Sequence, residues 1–293
     1  MAVGELLTQP WSLEWRGQVL ASPDGPLVIS DLHGWLEQPP MRAGRTDRPG
    51  RHGAITGQMR ASARTIEVEF TAAGLPDGVM GCADLLAPLR AAIAPTEDPG
   101  DEPLVLWVGD APELVYARCE RDAIPTDRAW SLGHERATVQ WVASDPRRYM
   151  LDELSASVGL PGATSGGLVF PLVFPLVFGD NPTPSAMVLN NPGTVATYPL
   201  YTVTGPAPGP IITNIDTGQV LAFASSFTVN DGDRLTVDTD QRTVLLNGVS
   251  RRDQLITAQW WALEPGSTTV SFDSAGAYNP TARLTARWRG AHM

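Results

Sequence analysis

The sequence predicts a mainly β protein made of an N-terminal α+β domain with one helix and a C-terminal β-sandwich of the jelly-roll type. The 28 glycines and 26 prolines are scattered between short apolar runs, as turn residues are in β proteins. Most of those runs alternate apolar and polar residues with period two, and one segment has helical spacing. A chain of 293 residues is long enough to bury two cores.

The N-terminal half contains several strand-like segments and one helical segment. The clearest strand covers residues 65–70, where every second residue is apolar. Further strands are predicted over residues 104–108, 114–120 and 137–143. A helix is predicted over residues 79–94, with Pro88 expected to kink or divide it. The apolar residues at helical spacing are Met80, Leu85, Leu86, Leu89 and Ile93.

The first domain is predicted to end near residue 150, since Pro146 closes the strand before it. Residues 151–167 are poor in large apolar side chains and predict a linker. The sequence Phe-Pro-Leu-Val then occurs twice, over residues 170–177, and we expect an extended segment packed along the second domain. The predicted domains are therefore residues 1–150 and residues 168–293.

Turn signals divide the C-terminal half into short strands. Asp231-Gly232 predicts a hairpin between its flanking strands, residues 227–229 and 235–237. Asn247-Gly248 predicts a second turn. The last strand is the most regular, and its inward-facing residues should be Ala282, Leu284, Ala286 and Trp288.

Composition argues against several classes of protein. The net charge is −11, so binding to duplex nucleic acid, which needs a net basic face, is not expected. The first eleven residues lack a basic segment followed by a long apolar one, so we expect no secretory signal. Residues 168–178 are too short to cross a bilayer, so no membrane insertion is expected. The two cysteines, Cys82 and Cys119, cannot form a disulfide framework, and a buried reduced thiol is expected at Cys119.

No catalytic or metal-binding motif is present in the sequence. There is no G-x-S-x-G element, and a phosphate-binding P-loop needs a lysine that the chain lacks. The histidines, which are too scattered to suggest a zinc site, are His33, His52, His134 and His292. Two aspartate pairs, Asp231 with Asp233 and Asp238 with Asp240, resemble glycosidase carboxylates but fall where turns favour aspartate. We therefore predict a protein without enzymatic activity, metal or cofactor.

Charge is unevenly distributed in the N-terminal half. Residues 41–64 hold one acid, Asp47, and six arginines: Arg42, Arg45, Arg48, Arg51, Arg60 and Arg64. Residues 95–122 hold eight acids and two arginines. These segments could be two unrelated solvated loops, or the two halves of a head-to-tail contact between copies of the chain. The candidate interface residues are Arg42, Arg45, Arg48 and Arg51.

Adjacent tryptophans, Trp260 and Trp261, should point to opposite faces of a strand. One of them could be exposed and stack on a sugar ring. Alternatively, one fills the core and the other packs under a loop or against a neighbouring subunit, which we favour because tryptophan is common at protein interfaces.

The motifs together resemble siphophage distal tail proteins of the actinobacterial-phage type, over nearly the whole chain. In the N-terminal half the resemblance rests on the strand and turn at residues 11–17, the Arg-Pro-Gly-Arg-His-Gly loop at 48–53, the single helix and Asp-Pro-Arg-Arg-Tyr at 145–149. In the C-terminal half it rests on Asn-Asn-Pro-Gly at 190–193, Leu-Thr-Val-Asp-Thr at 235–239, Val-Leu-Leu-Asn-Gly at 244–248 and Trp-Ala-Leu-Glu-Pro-Gly at 261–266.

The resemblance implies a structural protein of the virion tail tip, made in the bacterial cytoplasm. It implies that the N-terminal domains form a hexameric ring between the tail tube protein and the tail-tip hub, with the C-terminal sandwich facing outward. That sandwich is similar in fold to galectins and carbohydrate-binding modules. The alternative function is therefore a host-recognition module that binds a surface glycan through Trp260 or Trp261. A glycoside hydrolase built on the aspartate pairs ranks last.

Overall fold

The computed structural model describes residues 3–72, 82–97, 100–128, 136–162, 185–276 and 278–293, with only the backbone for residues 82–84. The described residues are mainly β with one α-helix, which confirms the predicted fold class except for the jelly-roll topology, which stays a prediction. The chain separates into two units, residues 1–151 with 292–293, and residues 152–291. His134 and the repeat at residues 170–177 lie outside the described residues.

The N-terminal unit is a β structure covered by one helix. Its elements are β1 (Ser12–Trp15), β2 (Gln18–Ala21), β3 (Leu27–His33), β4 (Met41–Asp47), β5 (Ala54–Ala61), β6 (Arg64–Ala72), α1 (Cys82–Ile93), β7 (Glu102–Trp107), β8 (Glu113–Ala123), β9 (Arg136–Ala143) and β10 (Arg148–Met150).

Strand β8 belongs to two sheets. Its residues 113–117 pair with β7 and its residues 118–123 pair with β9, and a bulge between Cys119 and Arg121 follows shortly after the change of partner. Because a bulge bends a strand, β8 can pass from one sheet to the other. The strand order is β2-β1-β7-β8 on one side and β8-β9-β6-β3 on the other.

The N-terminal core lies between these strands and the helix. Along β6, buried and exposed residues alternate as the sequence predicts, and the Trp141 ring of β9 packs edge-on against Trp15 and Phe70. Helix α1 runs without a break through Pro88, contrary to the expected division. The core contacts of its apolar residues offset the one hydrogen bond that proline removes; these residues are Leu85, Leu86, Leu89 and Ile93. Cys119 is half-buried and free, and burial raises the pKa of its thiol.

The C-terminal unit contains a small two-stranded sheet, residues 207–208 with 228–229, and two larger antiparallel sheets with a shared core. Their strand orders are β11-β23-β13-β18-β19-β20 and β12-β22-β15-β16-β21. The predicted inward-facing residues of the last long strand and its entry, Ala282, Leu284, Ala286 and Trp288, are all buried. The strands are β11 (Leu154–Gly159), β12 (Ala186–Asn191), β13 (Leu200–Thr204), β14 (Ala207–Pro208), β15 (Pro210–Asn214), β16 (Val220–Phe223), β17 (Thr228–Val229), β18 (Arg234–Asp238), β19 (Thr243–Leu246), β20 (Val249–Ser250), β21 (Leu255–Ala258), β22 (Gly266–Ser274) and β23 (Arg283–Trp288), with a 3-10 helix at Arg252–Gln254. A last short strand, β24 (Ala291–His292), spans the residues at which the two units divide.

Two details of the predicted organisation differ from the structure. Residues 154–159, predicted as part of a linker, form β11 and pair with β23 along its whole length. The residues on either side of Asp231-Gly232 do not form a hairpin, since β17 pairs with β14 and β18 pairs with β13 and β19. A turn signal is local, whereas the choice of strand partner depends on the whole sandwich. Asn247-Gly248 does form the predicted turn, and its φ angles of 49° and 83° suit a two-residue hairpin loop.

Strand β12 offers a matched test of the sandwich core. Leu189 is fully buried and Val188 is 60% exposed, although they are neighbours in one strand. We expect Leu189→Ala to lower the free energy of unfolding by about 2–5 kcal/mol, since it removes packed methyl groups and leaves a cavity. Val188→Ala, the control, should change it by less than about 0.5 kcal/mol. Urea denaturation measures both, and equal effects would contradict the assigned faces.

Candidate subunit-interaction site

The arginine-rich segment is a β-hairpin and not the loop that the sequence predicted. Strands β4 and β5 pair with each other, and within the described part of the chain neither pairs with another strand. Most side chains of both strands are exposed. Among the residues that the structure describes, nothing pairs with the outer edges of the hairpin and no sheet lies beneath it. A two-stranded hairpin of this kind is marginally stable in water unless something packs against it.

The base of the hairpin has one basic and one apolar face. Arg42 lies directly opposite Arg60, so the two guanidinium groups share a face. Met41 and Ala43 lie on the other face, opposite Ala61 and Met59 respectively. The Met59 side chain is 53% exposed. Further out, Ile55 is 58% exposed. Large apolar side chains this exposed mark a surface that another protein surface can cover.

The tip of the hairpin presents two further arginines. The backbone N–H of Arg48 donates to the carbonyl oxygen of Gly53 at 3.1 Å, and that of Arg51 donates to the carbonyl oxygen of Arg48 at 3.4 Å. Gly53 has a φ of 98°, which favours glycine. Arg48 and Arg51 are exposed, as are Arg42 and Arg45. Among the described residues, no carboxylate lies within 4.0 Å of these four guanidinium groups.

Arg64, counted with the basic segment from the sequence, is buried at the root of the hairpin with 1% exposure. Its Nη1 atom donates to the carbonyl oxygens of Gly34, Trp35 and Glu37, at 2.6 to 2.8 Å. Its Nε atom donates to the carbonyl oxygen of Pro146 at 2.7 Å. Because residues 34–37 precede β4 and Arg64 follows β5, these bonds fix both ends of the hairpin.

A second arginine and a glutamate lie close to Arg64. The Arg148 guanidinium lies 5.8 Å from the centre of the Trp35 ring and donates from Nη1 to Glu113 Oε2 at 2.5 Å. Burial lowers the pKa of Arg64 to about 10, and the positive charge of Arg148 acts in the same direction. At neutral pH Arg64 is therefore still a cation, although it is buried. The charge on Arg64 therefore strengthens its hydrogen bonds to the segment at the root of the hairpin, residues 34–37.

The acidic segment, residues 95–122, is less accessible to a partner than its sequence suggests. Glu102 accepts a hydrogen bond from Arg16 Nε at 2.9 Å. Glu113 is engaged by Arg148. Glu120 lies 3.7 Å from Arg118 in an exposed ion pair. Three of the eight acids thus already face an arginine of their own domain, and only part of the segment remains for a partner's arginines.

The two tryptophans proposed as a sugar platform are both engaged in the sandwich. Trp261 is 5% exposed, and its indole N–H donates to the Tyr201 hydroxyl at 3.2 Å. It therefore cannot stack on a sugar. Trp260 is partly buried against the core, and the Arg252 guanidinium lies 5.3 Å from its ring centre. The core interpretation is right for Trp261, and Trp260 already has a cation on one ring face.

The aspartate pairs are turn residues. Asp238 Oδ1 accepts the backbone N–H groups of Asp240 and Gln241, both at 2.9 Å. Asp233 accepts hydrogen bonds from the side chains of Asn247 and Asn230, which lower the pKa of its carboxyl. In the described ranges, no three histidine, cysteine or acidic side chains lie close enough to hold a metal ion. Nor is any described helix long and apolar enough to span a membrane.

Known proteins resemble this chain in two ways, in the sequence of the C-terminal half and in the fold of nearly the whole chain. Residues 192–288 match the family model described as the siphovirus-type tail component, C-terminal domain. The Dit protein (gp 19.1) of phage SPP1, described as a paradigm of the hub adsorption apparatus in phages that infect Gram-positive bacteria, has a similar fold. It aligns with a TM-score of 0.66 at 16% identity, over 96% of this chain and 99% of that chain.

Two solved baseplate structures have a more distant similarity in fold. A chain of the phage P2 baseplate in its activated conformation with Ca aligns with a TM-score of 0.50 at 10% identity, over 92% of this chain and 93% of that one. The same baseplate with Sr gives a TM-score of 0.50 at 9% identity, over 94% and 96%. No curated protein sequence matches the chain. The resemblance to siphophage distal tail proteins is confirmed, in sequence over the C-terminal domain and in fold over nearly the whole chain.

Replacing Arg64 should destabilise the N-terminal domain. We expect Arg64→Met to lower the free energy of unfolding by about 2–5 kcal/mol, because four carbonyl oxygens lose their donor. Arg60→Met is the matched control, since Arg60 is exposed, and should change it by less than about 0.5 kcal/mol. Urea denaturation followed by tryptophan fluorescence measures both. An Arg64→Met protein as stable as the control would show that the buried guanidinium is dispensable.

The two tryptophans should differ in their contribution to stability. We expect Trp261→Ala to cost about 3–5 kcal/mol, because it empties a core site and leaves the Tyr201 hydroxyl without its donor. Trp260→Ala should cost clearly less, since that side chain is only partly buried. Thermal and urea unfolding of the two variants provide the comparison. A larger loss for Trp260→Ala would contradict the assignment of Trp261 to the core.

Proposed function

We propose that this chain, a siphophage tail component with the distal tail protein fold, is a structural adaptor that forms a ring at the tail tip. Two findings support the proposal: the match of the C-terminal domain to the tail component family, and the fold shared with SPP1 Dit over nearly the whole chain. In this proposal the ring is a hexamer and joins the tail tube protein to the tail-tip hub.

The observation that carries the proposal is the unsupported hairpin β4–β5. A closed ring requires two different complementary patches on each subunit, because a head-to-tail contact does not match a surface with itself. The hairpin is suited to be one of those patches, since among the described residues it pairs with no other strand, exposes methionines and has arginines with no carboxylate within 4.0 Å. Natural proteins rarely leave such an edge uncovered.

The two faces of the hairpin would contribute differently to assembly. Exposed ion pairs are worth about 0 to 1 kcal/mol each, so the arginines mainly select the partner and its register. Burial of Met41, Met59 and Ile55 would supply most of the affinity, at about 25 cal/mol for each Å² of apolar surface. Ring formation should therefore weaken at high salt without being abolished.

This role requires neither catalysis nor a cofactor. The aspartate pairs that could have formed a glycosidase site bind backbone and asparagine N–H groups in turns. We propose that the protein has no enzymatic activity. A carbohydrate-binding role built on Trp260 and Trp261 is not favoured, because Trp261 is buried and Trp260 is covered on one face.

Charge reversal on the hairpin should abolish or weaken the ring. We expect the triple variant Arg45→Glu, Arg48→Glu and Arg51→Glu to remain folded, because all three side chains are exposed. Native mass spectrometry and negative-stain microscopy at low salt should show rings for the parent and mainly subunits for the variant. Raising the salt to about 0.5 M should partly reproduce this loss in the parent, since salt screens exposed charges.

The matched control reverses three exposed arginines of the C-terminal sheet, Arg234, Arg283 and Arg287, and should assemble as the parent does. If the hairpin variant forms rings as readily as the parent at low salt, the hairpin is a solvated surface and takes no part in the contact. If the control loses the ring as well, the effect is one of net charge and not of the hairpin.

A further inference from the structure

Like charges face each other at two places in the N-terminal domain. One is the hairpin, where Arg42 lies opposite Arg60, and the other is the outer face of strands β3 and β6. Asp31 lies directly opposite Glu69, and two residues along, His33 lies opposite Glu67. Between them, Leu32 and Val68 point the other way and contact the N-terminal core. The acidic side chains therefore share one outward face of a rigid sheet.

Among the described residues, the carboxylates of this face form no ion pair with an arginine. His33 Nε2 lies 3.1 Å from Asp31 Oδ2, and its Nδ1 lies 3.8 Å from Glu37 Oε1. The arginines of neighbouring strands on the same side are Arg121, beyond Gln140, and Arg136, opposite Thr71. In the part of the chain that the structure describes, no arginine lies within 4.0 Å of Asp31, Glu67 or Glu69.

Both pairs of like charges are unfavourable in a separate subunit. Like charges directly opposite each other on one face of a sheet are destabilising. This applies to Arg42 with Arg60 on the hairpin and to Asp31 with Glu69 on the sheet. Contact between the two pairs would convert both repulsions into attractions. Among the described residues, neither Arg42 nor Arg60 has a carboxylate within 4.0 Å and neither Asp31 nor Glu69 has an arginine within 4.0 Å, while Asp31 lies 3.1 Å from His33 Nε2.

We infer that the arginine face of the hairpin docks on the outer face of β3 and β6 of a second copy of this chain. The inference rests on the proposed ring and names its receiving surface. Residues directly opposite each other in antiparallel strands have Cα atoms about 4.5–5.5 Å apart. The two arginines and the two acids therefore have the same spacing, so each guanidinium can meet one carboxylate, in bidentate geometry where the side chains align.

This surface fits better than the acidic segment suggested by the sequence. In residues 95–122, Glu102, Glu113 and Glu120 already face arginines of their own domain. Asp31 and Glu69 are far apart in sequence and become neighbours only through the register of β3 and β6. The hairpin and this sheet face are also different surfaces of one domain, as a head-to-tail ring requires.

A charge-swap experiment on the full chain tests the inference. The hairpin variant carries Arg42→Glu and Arg60→Glu, and the sheet variant carries Asp31→Arg and Glu69→Arg. Each alone should fail to form rings, because every contact then joins like charges. Mixed in equal amounts, they should form rings that alternate the two variants, since only unlike neighbours match. Native mass spectrometry should find an even number of subunits and a one-to-one composition.

Two further variants serve as controls. A chain that carries all four substitutions should form rings on its own, because both surfaces are reversed together. A chain with Glu97→Arg and Asp110→Arg changes two exposed acids of residues 95–122 and should form rings as the parent does. Circular dichroism establishes that each variant is folded. If the sheet variant does not fold, Asp31→Asn with Glu69→Gln replaces it and should raise the concentration for half-assembly about tenfold.

The outcomes separate this inference from the proposed function. If the parent forms rings and the sheet variant forms them as well, β3 and β6 are not the receiving surface, although the proposed ring is retained. The same conclusion follows if neither mixing the two variants nor combining their four substitutions restores rings. If only the chain with Glu97→Arg and Asp110→Arg loses its rings, the contact lies on residues 95–122 and the inference that β3 and β6 receive the hairpin is wrong. A parent that stays monomeric would overturn the proposed ring, and this inference with it.

Discussion

The position of the exposed hairpin depends on the buried guanidinium of Arg64. Transfer of a cation from water into a protein interior is costly unless its N–H groups are bonded. Here four carbonyl oxygens accept bonds from Nε and Nη1, and three of them belong to residues 34–37, a segment outside any strand, whereas the buried Nη2 atom has no hydrogen-bond partner among the described residues. Gly34 belongs to this arrangement too: its φ is 78°, and a Cβ there would lie 1.9 Å from the carbonyl oxygen of Thr65. The root of the hairpin is thus fixed by polar contacts, although the hairpin itself has no core.

The sequence predicted some of the strands that have one buried face, such as β6 and β9, and missed both strands of the hairpin, which have none. Residues 65–70 and 137–143 alternate because every second side chain enters a core, and this alternation can be read from the sequence. Strands β4 and β5 cover no core, so their residues are not selected for alternation and the segment looked like a loop. The sequence also could not predict which strands pair with each other. The turn at Asp231-Gly232 was predicted correctly, but the strands on either side of it pair with other strands of the sandwich.

Charge counted along the sequence was a partial guide to the candidate site. The arginines of residues 41–64 appear as one basic segment, yet Arg64 is buried and structural while Arg42 and Arg60 face outward together. The acidic segment of residues 95–122 is partly engaged within its own domain. The alternative acidic face is formed by Asp31 and Glu69, which no run of acids indicates. Its recognition required the register of two strands, a property of the folded chain.

Retained pairs of like charges are consistent with a surface shaped for assembly more than for the stability of one subunit. Each such pair lowers the stability of the separate chain by a modest amount, and charge opposition of this kind also disfavours pairing with a wrong partner. A hairpin with free edges would otherwise be open to any strand that could pair with it. Arginines across its base make that pairing selective for an acidic surface, while Met41 and Met59 on the opposite face offer apolar area for burial. Arginines of one short segment therefore have two separate roles. Arg64 stabilises the root of the hairpin, and Arg42 with Arg60 makes the face of the hairpin selective for an acidic surface.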